Sequence, residues 1–382
     1  MKKSLLALAV LGAFTSIASA QSSVTLYGRI DENVTLQDPG RNQSANGTSR
    51  NGSTLTKLQD GSINGFGGSR LGFKATEDLG NGLKAFFTLE AGVSPDSGGA
   101  GGSTTLGGST SSFFNRLAIL GLRSDSLGEV RLGRQESLTR ENAVKINDIS
   151  GDNELKLSEK LEKTTEKSGK GTRALFQDFG TRVDNGIRYT TPVFSGLQAS
   201  VIVGLGEKQT TLSTATPPVI TGKAANYRGL SVVYAAGPLA LDVIYEDLRG
   251  GAVGHGDYNN VITAGGSYDF SIVKVAAAYQ HTNNFGGQLY TLPYAKGPDI
   301  NAWNVGLAVP LNAFTFKVQY TGSSIDKIGT SPSLDQSKYG ASLSYALSKR
   351  TTVYAVATTR AGDNKESYSR KSEYAMGIGH TF

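Results

Sequence analysis

The sequence predicts an all-β chain closed into an antiparallel transmembrane β-barrel, and three observations carry that prediction. Apolar and polar side chains alternate with a period of two in segment after segment. The connections between those segments are short and long by turns. The N-terminus marks the chain for export, yet it contains no cysteine, so disulfides cannot stabilise it.

The export signal comes first in the chain. Lys2 and Lys3 make a positive start, Leu5 to Phe14 is apolar, and Ala18-Ser19-Ala20 is a small-x-small cleavage site. The apolar stretch is shorter than the roughly 20 residues a membrane-spanning helix needs. Residues 1–20 are therefore expected to be a cleaved signal peptide, and residues 21–382 a single barrel domain. Later in the chain no run approaches the length of a transmembrane helix. Mean hydropathy is slightly negative, as a barrel allows, because half of its strand residues face a wet lumen.

The alternation is clearest in three places. Between 83 and 92, Leu83, Ala85, Phe87, Leu89 and Ala91 fall on one face, with Lys84, Thr88 and Glu90 on the other. Between 239 and 246, Leu239, Leu241, Val243 and Tyr245 oppose Asp242 and Glu246. Phe314, Phe316, Val318 and Tyr320 oppose Thr315, Lys317, Gln319 and Thr321. Charges on the second face are costly in a packed core but cheap in an aqueous lumen. Alternation alone leaves open which face is wet, since a sandwich with one solvated face shows the same pattern.

Loop lengths separate the two. Sixteen strand candidates run 23–36, 66–78, 82–93, 114–123, 128–135, 182–191, 196–206, 226–236, 238–248, 260–270, 272–282, 300–309, 312–322, 336–347, 350–361 and 371–382. Short turns are expected at Gly80-Asn81, Asp125-Ser126, Phe194-Ser195, Gly237-Pro238, Phe270-Ser271, Pro310-Leu311 and Ser348-Lys349. Longer Gly/Ser/Asn- and charge-rich segments fall between them. Short periplasmic turns and long extracellular loops, with both chain ends in the periplasm, describe an outer-membrane barrel. In the final strand Tyr374, Met376, Ile378, His380 and Phe382 share a face. The first and last strands must pair, because no strand edge can face lipid. Tyr27, Tyr245, Tyr320, Tyr345 and Phe382 suit interfacial aromatic girdles.

Composition narrows the function classes. The net charge of +6, or +4 once Lys2 and Lys3 are gone, is spread along the chain, unlike the clustered charge of a nucleic-acid-binding surface. His255, His281 and His380 have no metal-ligand spacing, and no Gly-x-Ser-x-Gly elbow or Walker-type loop occurs. No enzyme activity, cofactor, metal site or nucleic-acid partner is expected.

The residues now carry a resemblance. Ser23-Val24-Thr25-Leu26-Tyr27-Gly28, Gly68-Ser69-Arg70-Leu71-Gly72-Phe73, the run Thr76 to Ala85, Gly128-Glu129-Val130-Arg131-Leu132-Gly133-Arg134, Tyr189-Thr190-Thr191-Pro192, Leu347-Ser348-Lys349-Arg350-Thr351 and Gly377-Ile378-Gly379-His380-Thr381-Phe382 together resemble the trimeric general porins of β-proteobacteria, of Comamonas and Bordetella type. The resemblance implies a 16-stranded barrel, a homotrimer and a third loop folded into the lumen. It also implies an arginine cluster at the pore constriction, placed by motif position on Arg70, Arg116 and Arg182, with Glu90 as the acidic partner.

Register supports part of that assignment. Arg70 shares phase with Gly72 and Lys74, opposite Leu71 and Phe73, and so points inward. Arg182 shares phase with Asp184 and Arg188, opposite Val183, Ile187 and Tyr189, which again reads as inward. Arg116 shares phase with Ala118, Leu120 and Leu122, so a bulge or strand start must re-aim it. Lys74, Lys84, Arg131 and Arg188 are expected as secondary pore-lining charges. The third loop departs from the family pattern. Its segment 154–173 holds five lysines, Arg173 and four glutamates, which bears on pore width and field. The expected function is a general diffusion porin passing small hydrophilic solutes with anion preference, in contact with outer-membrane lipid and lipopolysaccharide. The alternative is a substrate-specific channel for small organic anions or phosphate.

Overall fold

In the computed structural model, the described residues are 23–38, 41–43, 49–51, 54–61, 67–100, 113–147, 149, 160–161, 173–174, 182–206, 210–212, 219–252, 258–283, 299–327, 333–363 and 371–382. Sixteen long strands form the wall: β1 Ser23–Asp38, β2 Arg70–Gly80, β3 Leu83–Ser94, β4 Leu117–Ser124, β5 Gly128–Glu136, β6 Arg182–Thr190, β7 Leu197–Gly204, β8 Val219–Ala236, β9 Leu239–Ala252, β10 Tyr258–Asp269, β11 Lys274–Asn283, β12 Ile300–Leu311, β13 Phe314–Ile325, β14 Leu334–Ala346, β15 Thr351–Gly362 and β16 Ser372–Thr381. Each pairs antiparallel with its sequence neighbour, and β16 returns to pair with β1 from Arg29↔Thr381 to Asp38↔Ser372. Gly28 and Phe382 exchange both backbone hydrogen bonds, at 3.1 and 3.2 Å. The sheet has no free edge along this seam, the condition for crossing hydrocarbon with strands.

The sidedness of the wall answers the question that alternation left open. Asp31, Asn33 and Thr35 of β1, Thr263 of β10, Gln280 of β11, Thr321 and Ser323 of β13 and Glu373 of β16 are buried. Their neighbours along the strands, among them Val34, Leu36, Ile262, Tyr279, Tyr374 and Met376, are exposed. A soluble protein sorts these residues the other way. An apolar exterior around a polar interior is the arrangement of a transmembrane barrel.

The seven short connections fall on the expected rim, and several use residues in the left-handed region: Asn81 (φ 53°), Ser195 (φ 49°), Ser271 (φ 70°) and Asn312 (φ 56°). One turn lies two residues later than expected. Pro310 and Leu311 remain in β12, paired with Thr315 and Phe314, and Asn312-Ala313 make the turn, since asparagine tolerates positive φ better than most residues. Another aromatic is placed differently from its neighbours. Tyr27 faces the lumen rather than a girdle, lying across Gly72 where any Cβ would collide with its ring.

Three irregularities escaped the period-two reading. Leu55–Asp60, expected to be loop, is a strand that pairs with the upper half of β1, while β2 takes the lower half. The interruption between them is closed by Gly67 N–H to Gly61 O at 3.1 Å and by Ser69 N–H to Asp60 Oδ1 at 2.8 Å. β8 begins at Val219, seven residues before the expected start, with a register shift between Lys223 and Asn226. β6 carries a bulge: its pairing with β5 shifts between Val183 and Gly186, around Asn185 at φ 52°.

Residues after β5 turn into the barrel. The helix α1, Leu138–Asn142, continues as a π-helical turn, Ala143–Asn147. Leu138 is fully buried against a patch of the inner wall made by Val183, Ile202, Tyr227, Ile244, Leu248 and Val261. Polar contacts fix the rest. Thr139 N–H donates to Glu246 Oε1 at 2.8 Å, Asn147 Nδ2 to Asp242 Oδ2 at 3.0 Å, and Asn304 Nδ2 to Asn147 O at 2.9 Å. Ile149 then packs on Ala276 and Ala308. Two wall glycines make room: a Cβ on Gly265 would lie 2.2 Å from Asn147 Oδ1, and one on Gly306 would lie 2.8 Å from Ile149 Cγ2. The charged segment 154–173 lies outside the described residues except for Lys160–Leu161 and Arg173, the former pairing with Arg173–Ala174.

Candidate pore constriction

Glu90 is the centre of the site. It sits near the end of β3, is 5% exposed, and faces the lumen opposite Gly72 of β2. Arg116 donates from Nε to Glu90 Oε1 at 2.5 Å. Arg70 Nε stands 3.9 Å from Oε2, and the Tyr27 hydroxyl donates to that same oxygen at 3.0 Å. The carboxylate thus orients two guanidinium groups, one from β2 and one from the residue just before β4. The buried setting raises the strength of these charge-assisted bonds over an exposed pair.

Arg116 reaches Glu90 because it precedes the first paired residue of β4, so a strand start re-aims it. Its own N–H still bonds Glu90 O, at 3.1 Å. Arg182 arrives differently. The bulge puts Val183, paired with Gln135, in phase with inward Gly186 and Arg188, so Arg182 does not share their phase as regular alternation would have it. A β-bulge adds one residue and inverts parity across itself. Arg182 is nonetheless buried at 3% exposure, with Nη2 3.6 Å from Glu136 Oε1. The charges of Arg116, Glu136, Arg140 and Glu90 all act on it. Arg70, Arg116 and Arg182 are therefore part of one charged cluster with Glu90.

The secondary charges divide. Lys74 lies over the Tyr27 ring, 5.2 Å from its centroid. Lys84 is half-buried on β3, paired with Asp78 in register. Arg131 and Arg188 are not free members of a basic wall. Arg131 bonds Glu129 of its own strand, and Arg188 bonds Glu141 of α1. Arg134, which the sequence reading passed over, holds Asp184 with Nη1 and the Asn115 carbonyl with Nε at 2.8 Å.

Glu141 was also missed, because a five-residue helix inside a long polar loop gives no periodic signal. Burial would raise its pKa, but Arg188, Lys145 and Arg131 outweigh that and hold it down to about 2. It stays ionised throughout the physiological range.

The chain matches the Gram-negative porin family over residues 7–365. It is 30% identical over 408 aligned residues to an outer membrane porin protein of Bordetella pertussis, covering all of both chains. It is 33% identical over 359 residues to outer membrane porin protein 32 of Delftia acidovorans, covering 93% of this chain and 88% of the other. Among solved structures it is similar to the anion-selective porin from Comamonas acidovorans, with a TM-score of 0.69, 27% identity, and coverage of 95% of this chain and all of that one. The chain belongs to the Gram-negative porin family, whose members are outer-membrane channels rather than enzymes.

Proposed function

We propose that the barrel is a general diffusion porin with anion preference, and that Arg70, Arg116, Arg182 and Glu90 form its selective constriction. The observation that carries this reading is the convergence of Arg70 and Arg116 on the single buried carboxylate of Glu90, with Arg182 within electrostatic reach. Three arginines against the two carboxylates of Glu90 and Glu136 leave excess positive charge facing the lumen. Arginine keeps that charge at any physiological pH. A positive constriction lowers the barrier for anions and raises it for cations, and flow then follows the concentration gradient. The anion selectivity named for the Comamonas acidovorans porin is consistent with this reading.

Three further parts belong to the same proposal. Residues 1–20 are a signal peptide removed on export, supported by the Lys2-Lys3 start and the Ala18-Ser19-Ala20 site. The working form is a homotrimer, supported by the family resemblance. The long extracellular segments, rich in Gly, Ser, Asn and charge, meet lipopolysaccharide.

Reversal potentials across planar bilayers with a KCl gradient test the constriction. Wild type is expected to prefer chloride, and Arg70→Ala and Arg182→Ala each to reduce that preference. A cation-selective wild-type channel would overturn the arginine assignment. Saturating block by a small carboxylate or by phosphate at low concentration would point instead to a substrate-specific channel.

A further inference from the structure

Below the Glu90 cluster, nearer the short-turn rim, three cations from three elements close on one carboxylate of α1. Arg188 of β6 donates from Nη1 to Glu141 Oε2, and Arg131 Nη1 of β5 stands 3.9 Å from the same oxygen. Lys145 Nζ, one turn along the lumenal segment, is 2.5 Å from Oε1. Arg188 is held in place by a second bond, from Nη2 to Ser200 Oγ at 3.1 Å. Arg131 is fixed by Glu129, which also takes Arg123. Two guanidinium groups preset by wall contacts, joined by an ammonium from the lumenal segment itself, make a donor set that binds a carboxylate or phosphate. Here the occupant belongs to the protein's own third loop.

We propose that Glu141 is a specificity-determining residue: it occupies a second anion site in the lumen, built from Arg188, Arg131 and Lys145, and so limits how strongly the pore favours anions. The proposal rests on the anion-passing reading above and deepens it. Among the described groups, Arg123, Arg131, Arg188 and Lys145 meet Glu129 and Glu141. Removing the Glu141 charge leaves four cations against one carboxylate, and it empties the fork. A unit charge about 10 Å from an ion's path changes its occupancy about two-fold at water-like dielectric, in opposite senses for anion and cation, so the permeability ratio shifts about four-fold in dilute salt.

The experiment compares full-length wild type, Glu141→Gln and Glu141→Asp in planar bilayers under a dilute KCl gradient, with inorganic phosphate as the added anion. Glu141→Gln is expected to raise the chloride-to-potassium ratio about four-fold and to gain saturable block by phosphate at concentrations that leave wild type open. Glu141→Asp keeps the charge and is expected to match wild type. An unchanged ratio in Glu141→Gln, or a lower ratio with larger conductance, would overturn the proposal, the second by showing that Glu141 only anchors the loop. A raised ratio in Glu141→Asp would overturn it too. If Glu141→Gln yields no channels, the double variant Glu141→Gln, Arg188→Gln removes one charge of each sign; a ratio within about two-fold of wild type supports the proposal, and a larger departure overturns it. A wild type that prefers cations would sink the anion-passing reading. The ratio between variant and wild type would still report on Glu141, so the two failures are distinguishable.

Discussion

Shortening Leu138 to alanine probes what holds α1 against the inner wall. Leu138 is fully buried among Val183, Ile202, Tyr227 and Ile244. The wall beneath it is cut to fit: a Cβ on Gly229 would lie 2.8 Å from Leu138 Cδ1. Truncating a leucine in such a site costs about 2.7–5 kcal/mol, depending on how far the surroundings collapse. The barrel wall is a continuous hydrogen-bonded sheet and does not depend on this contact, so the loss falls on attachment of α1. Taking about 3 kcal/mol, and 1.4 kcal/mol per tenfold, the detached fraction rises about 150-fold. The Leu138 and Thr139 amides report it, because they donate to the Tyr227 hydroxyl and to Glu246 Oε1 and are sealed from water while α1 is seated. Hydrogen exchange followed by mass spectrometry on the folded protein in detergent is the assay. Faster exchange across 138–142, with strand amides unchanged, is the expected result. Acceleration of less than about threefold would show instead that the polar contacts at Thr139 and Asn147 hold this segment without the leucine.

Other expectations follow from the same geometry. Gly265→Ala places a methyl 2.2 Å from Asn147 Oδ1, so the Asn147–Asp242 bond should break and the unit conductance in single-channel recordings should change. Retention of wild-type conductance would mean that the loop shifts at no cost. Tyr354→Phe deletes a 2.6 Å hydrogen bond to Asp31 Oδ1 that ties β15 to β1 across the closing seam. The expected loss is about 1–2 kcal/mol of unfolding free energy in urea titrations, with ion selectivity preserved. The Glu141 pKa is depressed to about 2 by Arg188, Lys145 and Arg131 against the effect of burial. Its contribution to loop attachment is therefore complete above the ordinary carboxylate pKa and is lost as pH falls through about 2. Amide protection in α1, corrected for intrinsic exchange, should hold from pH 7 to pH 5 and collapse only near pH 2–3.

The strands and their sidedness were legible in the sequence because side-chain alternation is a local property with a period of two. Leu241, Val243 and Tyr245 against Asp242 and Glu246 could be sorted onto opposite faces without knowing any partner strand, and the structure keeps that sorting. The alternating loop lengths then supplied the topology, and the parity of Arg70 supplied its inward direction. Where a single residue breaks the period, as Asn185 does in β6, every inference carried across the break loses its parity. The turn at Asn312 and the early start of β8 moved for related reasons. Turn position and strand extension depend on which backbone groups across the sheet remain to be paired.

Apart from the grouping of Glu90 with the arginines, which the family resemblance implied, the partners of the charged groups depend on tertiary structure. Arg116 and Glu90 are 26 residues apart, Arg188 and Glu141 are 47 apart, and Asn147 and Asn304 are 157 apart. No local rule predicts such meetings, because they depend on where the barrel closes and where the third loop lies against the wall. Alternation along the chain sets which side chains meet oil and which meet water. Folding decided which cation faces which carboxylate, since electrostatic pairing depends on distance in space and alternation depends only on position along the chain.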